Sequence, residues 1–182
     1  MADATNVFAL ADGWIIDDET PADAACREEL LDRVMGSERF LKSSEVLRRG
    51  RSASTDLSLV ARMRSGRLVG TVRLWNVNAG EIPALLLGPL AVDQSFAGMG
   101  IGTGLMGEAL SRARSLDHGA VILVGDPAYY VRFGFSAELT TLLTMPGDFD
   151  QSRLLALELH EGWLRGARGP VAAPQEWESL AA

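Results

Sequence analysis

The sequence predicts one domain of the α/β (α+β) class. Segments 55–63 and 68–77 alternate apolar and polar residues around the turn sequence RSGR, a pattern that predicts a β-hairpin. Segments 84–92 and 120–126 are short and almost entirely apolar, as expected of strands that are buried on both faces. Between them, segment 104–116 places its apolar residues on one helical face.

Length and composition agree with a single domain over residues 1–182. The chain has 182 residues, of which 47% are apolar, which is enough for one core but not for two large domains. Its net charge of −7 argues against nucleic acid and against an anionic membrane surface, because phosphate binding requires clustered Lys and Arg. Neither a transmembrane stretch nor a signal-peptide pattern is present in the sequence. We therefore expect a cytoplasmic protein.

The N-terminal part is expected to contain one strand and two helices. Residues 1–12 are predicted to be a loose tail, and 14–19 a first strand. Thr20 followed by Pro21 predicts the start of a helix, because Thr is a good N-cap and Pro suits the first helical position. A second, short helix is predicted over 42–50.

The C-terminal part begins with a short helix predicted over 127–135, which leads into a strand, and a further strand is predicted over 153–160. Residues 161–182 form an extension, rich in Gly and Pro with two Trp, to which no structure is assigned. Within 84–92 the pair Gly88-Pro89 is unusual, because Pro cannot donate to a strand ladder and Gly often marks a bulge. We expect this strand to break or splay near its C-terminal end.

The segment AGMGIGTGLMG, residues 97–107, holds five glycines where the predicted helix begins. A flexible loop is one interpretation. A second is a dinucleotide-binding fingerprint, because Gly102, Gly104 and Gly107 match GxGxxG and Asp126 follows the next strand. That motif starts directly after its strand, however, whereas these glycines start well beyond the preceding strand.

The third interpretation, which we favour, is a diphosphate site built from main-chain amides. The glycines of 98–103 allow the chain to approach an anion without Cβ clashes. The first turn of the helix adds unpaired N–H groups and the positive end of the helix dipole. Such a site needs no lysine, which explains how an acidic protein could hold a polyphosphate cofactor.

The segments LGPLAVDQSFAGMGIGTGLM and VILVGDPAYYVRFGF together resemble the GNAT superfamily of N-acetyltransferases, and within it the YhbS-like branch, over residues 14–160. The family signature R/Q-x-x-G-x-G/A falls on 97–102, with Ala97 in place of Arg or Gln. The resemblance implies a mixed, mostly antiparallel sheet with a splayed strand pair, flanked by helices. It also implies acetyl-CoA as the co-substrate.

Two groups of cofactor-binding residues follow from the resemblance. In the family, the pantetheine arm pairs with the open side of the splayed strand, whose N–H and C=O groups would otherwise be unsatisfied. The diphosphate binds the amides of the signature loop. The matching residues here are Leu90, Ala91 and Val92 for the arm, and Gly98, Met99, Gly100, Ile101, Gly102 and Thr103 for the diphosphate.

Acetyl transfer from a thioester to an amine requires a neutral amine, a stabilised oxyanion and a protonated leaving thiolate. The segment YYVRFGF resembles the family pattern F-Y-x-K-x-G-F, which places Tyr129, Tyr130 and Arg132 on its Phe, Tyr and Lys. A phenol has a pKa near 10, so Tyr130 is the predicted general acid; the alternative is an aromatic anchor. A main-chain N–H within 90–92 is expected to serve the oxyanion.

Further polar residues near the predicted site are harder to interpret. Asp126 either contacts the cofactor or caps the helix that follows it. Arg73 either binds an acidic group of the substrate or faces solvent, and Trp75 is expected on the opposite face. No general base is identified, because segment 82–92 contains no acid and Glu81 precedes it.

Cysteine and histidine provide no second site. Cys26 lies on the apolar side of the first predicted helix, where we expect a buried, reduced thiol. His118 and His160 are single and far apart in the sequence, so neither a metal site nor a Cys–His pair is expected.

These inferences predict an acetyl-CoA-dependent N-acetyltransferase that moves the acetyl group to a primary amine by direct attack. A non-catalytic acyl-CoA-binding or sensing protein is the alternative, because no general base is identified. The acceptor is expected to be an amine-bearing small molecule, peptide or protein, bound by 36–52 and 136–150, where relatives form their acceptor pockets. The resemblance is also compatible with a homodimer, because dimers are common in the family.

Overall fold

A computed structural model describes residues 13–54 and 56–174, so the predicted tail over 1–12 and the end of the chain from 175 lie outside the described residues. The strands are β1 (Trp14–Asp18), β2 (Ser58–Met63), β3 (Leu68–Ala79), β4 (Ile82–Val92), β5 (Ala120–Val124), β6 (Leu143–Thr144), β7 (Leu154–Glu158) and β8 (Gly169–Ala172). The α-helices are α1 (Ala24–Met35), α2 (Ser43–Val46), α3 (Ile101–Ser115) and α4 (Pro127–Tyr130).

The strands form a mixed sheet in the order β1-β2-β3-β4-β5-β7, and β8 pairs with both β3 and β6. Along the main path every pair is antiparallel except β4–β5, which is parallel. The predicted hairpin is β2–β3, and β8 shows that the unassigned C-terminal extension adds a short strand to β3. The mostly antiparallel sheet expected from the sequence is therefore confirmed.

Strands β4 and β5 separate after a short parallel contact. β4 pairs with β5 only at Leu85 and Leu86. Just beyond, Gly88–Pro89, joined by a cis peptide, forms a bulge opposite Arg73 of β3. The indole N–H of Trp75 donates to the Gly88 carbonyl oxygen at 2.7 Å and holds the bulge in place. The strand thus splays, as predicted, without breaking.

Helices cover both faces of the sheet. The apolar stripe of α3 is buried against one face, except that Leu116 is 46% exposed because the helix ends one residue before it. On the other face, Leu30 of α1 packs with Val60 and Leu68 of the β2–β3 hairpin. Alternate strand residues point to opposite faces, so the hairpin contributes to both cores.

The start of α1 agrees with the predicted capping signal. Thr20 N–H and Oγ1 both donate to the Asp23 carboxylate at 2.8 Å, which begins a 3₁₀ turn that leads into the helix. The expectation of a buried Cys26 is wrong, because its side chain is exposed. The neighbouring Arg27 takes the first buried position of the helix instead, where it pairs with Glu19.

Candidate active site

The glycine-rich segment 97–107 turns the chain from β4 into α3. Gly98 and Gly100 have φ angles of +80° and +75°, a region that glycine adopts at little cost. The first intrahelical bond runs from the Gly104 N–H to the Gly100 carbonyl at 2.9 Å. The N–H groups of 101–103 therefore have no acceptor within the helix and point outward at its start.

Two other glycines of this segment provide space rather than backbone freedom. A Cβ on Gly104 would lie 2.5 Å from the Trp14 ring, and a Cβ on Gly102 would lie 2.9 Å from the Tyr129 hydroxyl. Both contacts arise within the first turn of α3, which begins at Ile101, three residues before the start predicted from apolar spacing. They also disfavour the dinucleotide fingerprint, because its three glycines lie inside the helix instead of in a strand-to-helix turn.

The start of α3 opens on a cavity of about 380 Å³, which we call the amide cavity. Its lining comprises Val92, Phe96, Ala97, Gly98, Gly100, Ile101, Gly102, Thr103, Tyr129 and Arg132. Arg132 is the one basic side chain among these described residues; its guanidinium lies 4.2 Å from the centre of the Tyr129 ring. Outward amides, a helix dipole and this cation make the cavity suited to an anionic group.

Ile101 and Met99, two of the predicted diphosphate residues, have side chains that pack into the core and cannot contact a ligand in the amide cavity. The Ile101 side chain is 1% exposed and belongs to the core, which leaves its N–H for a ligand. Both main-chain groups of Met99 are engaged: its N–H donates to the Phe96 carbonyl at 3.4 Å, and its carbonyl accepts from the Trp14 indole at 3.1 Å. The Met99 side chain packs against the same core.

Beyond the bulge, the polar main-chain groups of β4 alternate between β3 and the gap beside β5. The Asp93 N–H donates to the Val69 carbonyl on β3 at 2.8 Å. By alternation, Leu90 and Val92 direct their N–H and C=O groups away from β3, into the gap. Ala91 directs its own groups to β3, which corrects the expectation that all three residues present free main-chain groups.

The gap contains a second cavity, of about 410 Å³, which we call the central cavity. It is bounded by the bulged part of β4, the end of β5, α4 and the region of α2. It shares Val92, Gly102 and Tyr129 with the amide cavity. The two cavities therefore adjoin each other, and we call the pair, from the start of α3 to the parted strands, the groove.

Tyr130 lines the central cavity from α4. Its ring fits against Gly125, where an added Cβ would lie 2.2 Å away, and makes an edge contact with Tyr129 at 4.9 Å between ring centres. Burial, helped by neighbouring Tyr129 and Asp126, raises the pKa of Tyr130 to about 12. The phenol is therefore protonated at neutral pH, and its packed ring gives it a defined position.

Asp126 acts as the N-cap of α4. Its carboxylate accepts a hydrogen bond from the Ala128 N–H at 3.0 Å, and Pro127 occupies the first helical position. The helix-capping interpretation thus has direct support, although Asp126 also lines the central cavity. Its contact with a cofactor stays a prediction.

A third cavity, of about 190 Å³, adjoins the central cavity and is called here the arginine cavity. Its lining comprises Glu28, Leu31, Arg39, Phe40, Glu45, Arg48, Arg49, Gly50, Arg73, Trp75 and Pro89. Arg73 and Trp75 face this cavity together, with the guanidinium 4.9 Å from the indole. The expectation that Trp75 points away was wrong, because residues two apart on a strand share a face.

Sequence reasoning missed Glu45, which lines both the central and the arginine cavities. Its carboxylate lies 3.2 Å from the Arg48 guanidinium, and its side chain is 20% exposed. An acid was sought on β4, whereas α2 supplies this one. The predicted acceptor segment 36–52 does border both cavities, but no residue of 136–150 lines either of them in the part of the chain that the structure describes.

Residues 13–54 and 56–174 contain neither a cluster of metal-binding side chains nor a helix suited to cross a membrane. No group of three or more His, Cys, Asp or Glu side chains is placed to hold a metal ion. None of the helices in these ranges combines the length and the apolar character needed to cross a membrane.

Comparison with known proteins identifies the class. The acetyltransferase (GNAT) family model matches residues 24–135. The chain therefore belongs to the GNAT family of acetyltransferases, as its glycine signature and YYVRFGF segment indicated, and it is an N-acetyltransferase by class.

Particular relatives are similar over much of the chain. The YhbS N-acetyltransferase of Escherichia coli K12 is 34% identical over 119 residues, or 64% of this chain and 70% of that protein. A crystal structure of Escherichia coli YhbS with CoA has a TM-score of 0.75 at 30% identity, covering 88% and 89% of the two chains. A Brucella melitensis GNAT acetyltransferase with acetyl-CoA has a TM-score of 0.65 at 27% identity, covering 88% and 96%.

Proposed function

We propose that the protein uses acetyl-CoA to acetylate a primary amine, which attacks the thioester directly. The observation that carries this proposal is the separation of β4 from β5 beside the start of α3. It leaves the main-chain groups of Leu90 and Val92 and the amides of Gly98 and of 100–103 along one groove. Similar proteins from Escherichia coli and Brucella melitensis bind CoA and acetyl-CoA, which supports the same co-substrate here.

The residues along the groove suit the parts of this co-substrate. The amides of Gly98 and of 100–103, together with Arg132, suit the diphosphate, because amides at a helix start and a guanidinium both favour anions. Leu90 and Val92 suit the amide-containing pantetheine arm, because their N–H and C=O groups are directed into the gap. The co-substrate supplies an activated acetyl thioester to this groove.

The chain's own groups can manage each charge of the reaction. The Leu90 N–H is available to stabilise the oxyanion that forms when the amine nitrogen bonds to the thioester carbon. As the carbon–sulfur bond breaks, the protonated Tyr130 donates its proton to the leaving sulfur. Two acidic side chains line the central cavity among residues 13–54 and 56–174. Asp126 is engaged in capping α4, which leaves Glu45 to accept the proton from the amine.

Replacement of Tyr130 by Phe tests the proposal against a matched control. We expect Y130F to lower kcat roughly 100-fold, while the dissociation constant for CoA, measured by calorimetry, stays within about twofold. Y129F, which removes the neighbouring hydroxyl, is expected to retain most of the turnover. A loss of turnover in Y129F but not in Y130F would show that Tyr129, and not Tyr130, is the general acid.

The alternative of a non-catalytic binding protein gives a different result. If the wild-type protein binds CoA tightly but acetylates no small amine, peptide N-terminus or lysine peptide, the proposed activity is refuted. The sensing role would then be the better interpretation.

A further inference from the structure

The central and arginine cavities are more basic than the protein as a whole. The chain carries 24 acidic and 17 basic residues. Yet six basic and three acidic described residues line these two cavities. They are Arg39, Lys42, Arg48, Arg49, Arg73 and Arg153 against Glu28, Glu45 and Asp126. Lys42, Arg49 and Arg153 are exposed, however, and Arg39 pairs with Glu28 and Asp32. The cations whose charge a bound anion would compensate are therefore the buried Arg48 and the partly buried Arg73.

Arg48 is the central residue of this excess. Its side chain is 8% exposed and lines both cavities. Its Nη2 donates to Ser44 Oγ at 3.2 Å and lies 3.2 Å from the Glu45 carboxylate. Its Nε, in contrast, is buried without a hydrogen-bond partner among the described residues. A buried guanidinium N–H normally has an acceptor, so this donor is available to a ligand that enters the cavity.

Arg73 places a second guanidinium with an unpartnered N–H at the arginine cavity. Its Nε lies 3.3 Å from the Glu19 carboxylate but is not aligned for a hydrogen bond, and Glu19 also pairs with Arg27. Burial lowers the pKa of both Arg48 and Arg73, and the positive charge of Arg73 contributes to the lowering at Arg48. Both groups remain charged at neutral pH, so an anion in the arginine cavity is attracted by both.

We propose that the acceptor is a small amine that carries an oxyanion group, a carboxylate or a phosphate, and that Arg48 and Arg73 bind this group in the arginine cavity; this inference rests on the proposed acetyl transfer. Guanidinium groups bind both oxyanions through paired hydrogen bonds. Glu45, adjacent to Arg48, is then placed to meet the amine of the same molecule. The acidic Glu45 beside the basic Arg48 thus suits a molecule in which an amine and an oxyanion group lie close together, such as an amino acid.

The volume and the charge of the arginine cavity also disfavour large or polycationic acceptors. Its volume of about 190 Å³ is below the roughly 300 Å³ typical of a complete ligand site, so it suits one small group of the acceptor. A polyamine or a lysine-rich peptide would bring like charges to Arg48 and Arg73. We therefore expect such acceptors to be poor substrates.

Matched pairs of acceptors test the inference. The pairs are glycine with glycinamide, phenylalanine with phenylalaninamide and phosphoethanolamine with ethanolamine, and spermidine is included as a polycation. We expect the anionic member of a pair to have at least tenfold higher kcat/KM, and the preferred pair then distinguishes carboxylate from phosphate. Equal or better acetylation of the neutral members, or of spermidine, would overturn the inference while leaving the proposed function intact.

Variants assign the preference to the two arginines. R48Q is expected to abolish the preference for the anionic member, and R48K to restore part of it, because Lys retains the charge without the paired donors. R64Q removes the same charge from the exposed β2–β3 turn and should leave the preference unchanged. R73Q repeats the test if R48Q fails to fold, which is judged from its melting temperature and its affinity for CoA.

A binding measurement separates this inference from the proposed function. N-acetylglycine carries a carboxylate but no reactive amine, and its binding to the CoA-bound protein can be followed by calorimetry. Binding that is lost in R48Q and R73Q supports the anion site even if no amine is acetylated. Binding that is unchanged in both variants would refute the site whether or not the enzyme is active.

Discussion

The amide cavity and the arginine cavity adjoin the same central cavity but favour anions by opposite means. The amide cavity uses main-chain N–H groups at the start of α3, with Arg132 as the one basic side chain among its described lining residues. The arginine cavity uses the side chains of Arg48 and Arg73, beside the indole of Trp75. Main-chain donors depend on backbone conformation, whereas side-chain donors depend on individual residues.

This difference separates two tasks. The amides of 98–103 exist because β4 passes through a glycine loop into α3, so they are a property of the fold. Arg48 and Arg73 come from separate segments, the region of α2 and strand β3. If the proposals above are right, the fold binds the co-substrate, and individual side chains select the acceptor.

The largest expected effect tests the main-chain half of the comparison. Gly100 has a φ of +75°, which a β-branched residue adopts only with strain, so G100V should reorient the loop amides. We expect the affinity for CoA, measured by calorimetry, to fall at least about 100-fold.

The control for this variant lies in the same segment. Gly107 is helical and an added Cβ would meet nothing within 4 Å, so G107A should keep CoA affinity and gain up to about 1 kcal/mol of stability. Retained affinity in G100V would mean that the loop amides do not hold the co-substrate.

The second prediction concerns Tyr130, in the central cavity between the two sites. Its folded pKa of about 12 lies above the usual 10, so its contribution to stability is complete below pH 10 and is lost as the pH rises through 12. Between pH 9 and pH 12 the wild-type protein should lose roughly 2 kcal/mol more stability than Y130F. Urea unfolding at both pH values measures this, and equal losses would contradict the burial of the phenol.

A smaller effect is expected at the one cation of the amide cavity. Arg132 is exposed, so solvent screens its attraction for an anion. R132A should weaken CoA binding by about fivefold or less, and R132K should recover most of the loss. An effect of R132A as large as that of G100V would show that side chains dominate both cavities, and the contrast between them would be lost.

The smallest effect on ligand affinity is expected at Asp126. Its carboxylate caps α4, so D126A should lower the free energy of unfolding by about 1 kcal/mol while CoA affinity stays within about twofold. D126N retains a capping oxygen and serves as the control. A marked change in CoA affinity without loss of stability would instead indicate a direct cofactor contact.

Local patterns predicted the hairpin, the buried strands, the splay at Gly88–Pro89 and the glycine-rich turn into α3, because each depends on neighbouring residues. The start of α3 was predicted three residues too late, because glycine disfavours helices. Gly104 lies within the helix because the Trp14 ring packs where a side chain at 104 would stand. The direction of the Ala91 main chain depends on the pairing of β4 with β3, which the bulge shifts. Neither contact is visible in a local window of sequence.

The sequence by itself determined the class of the protein and the amide cavity, because glycines at a strand-to-helix junction specify backbone geometry locally. Only the tertiary structure decided which side chains line the arginine cavity. Arg48 and Glu45 come from the region of α2, and Arg73 and Trp75 from β3. The side chains from α2 and from β3 meet beside the bulge of β4. Contacts between segments so far apart in the chain leave no periodic pattern in the sequence.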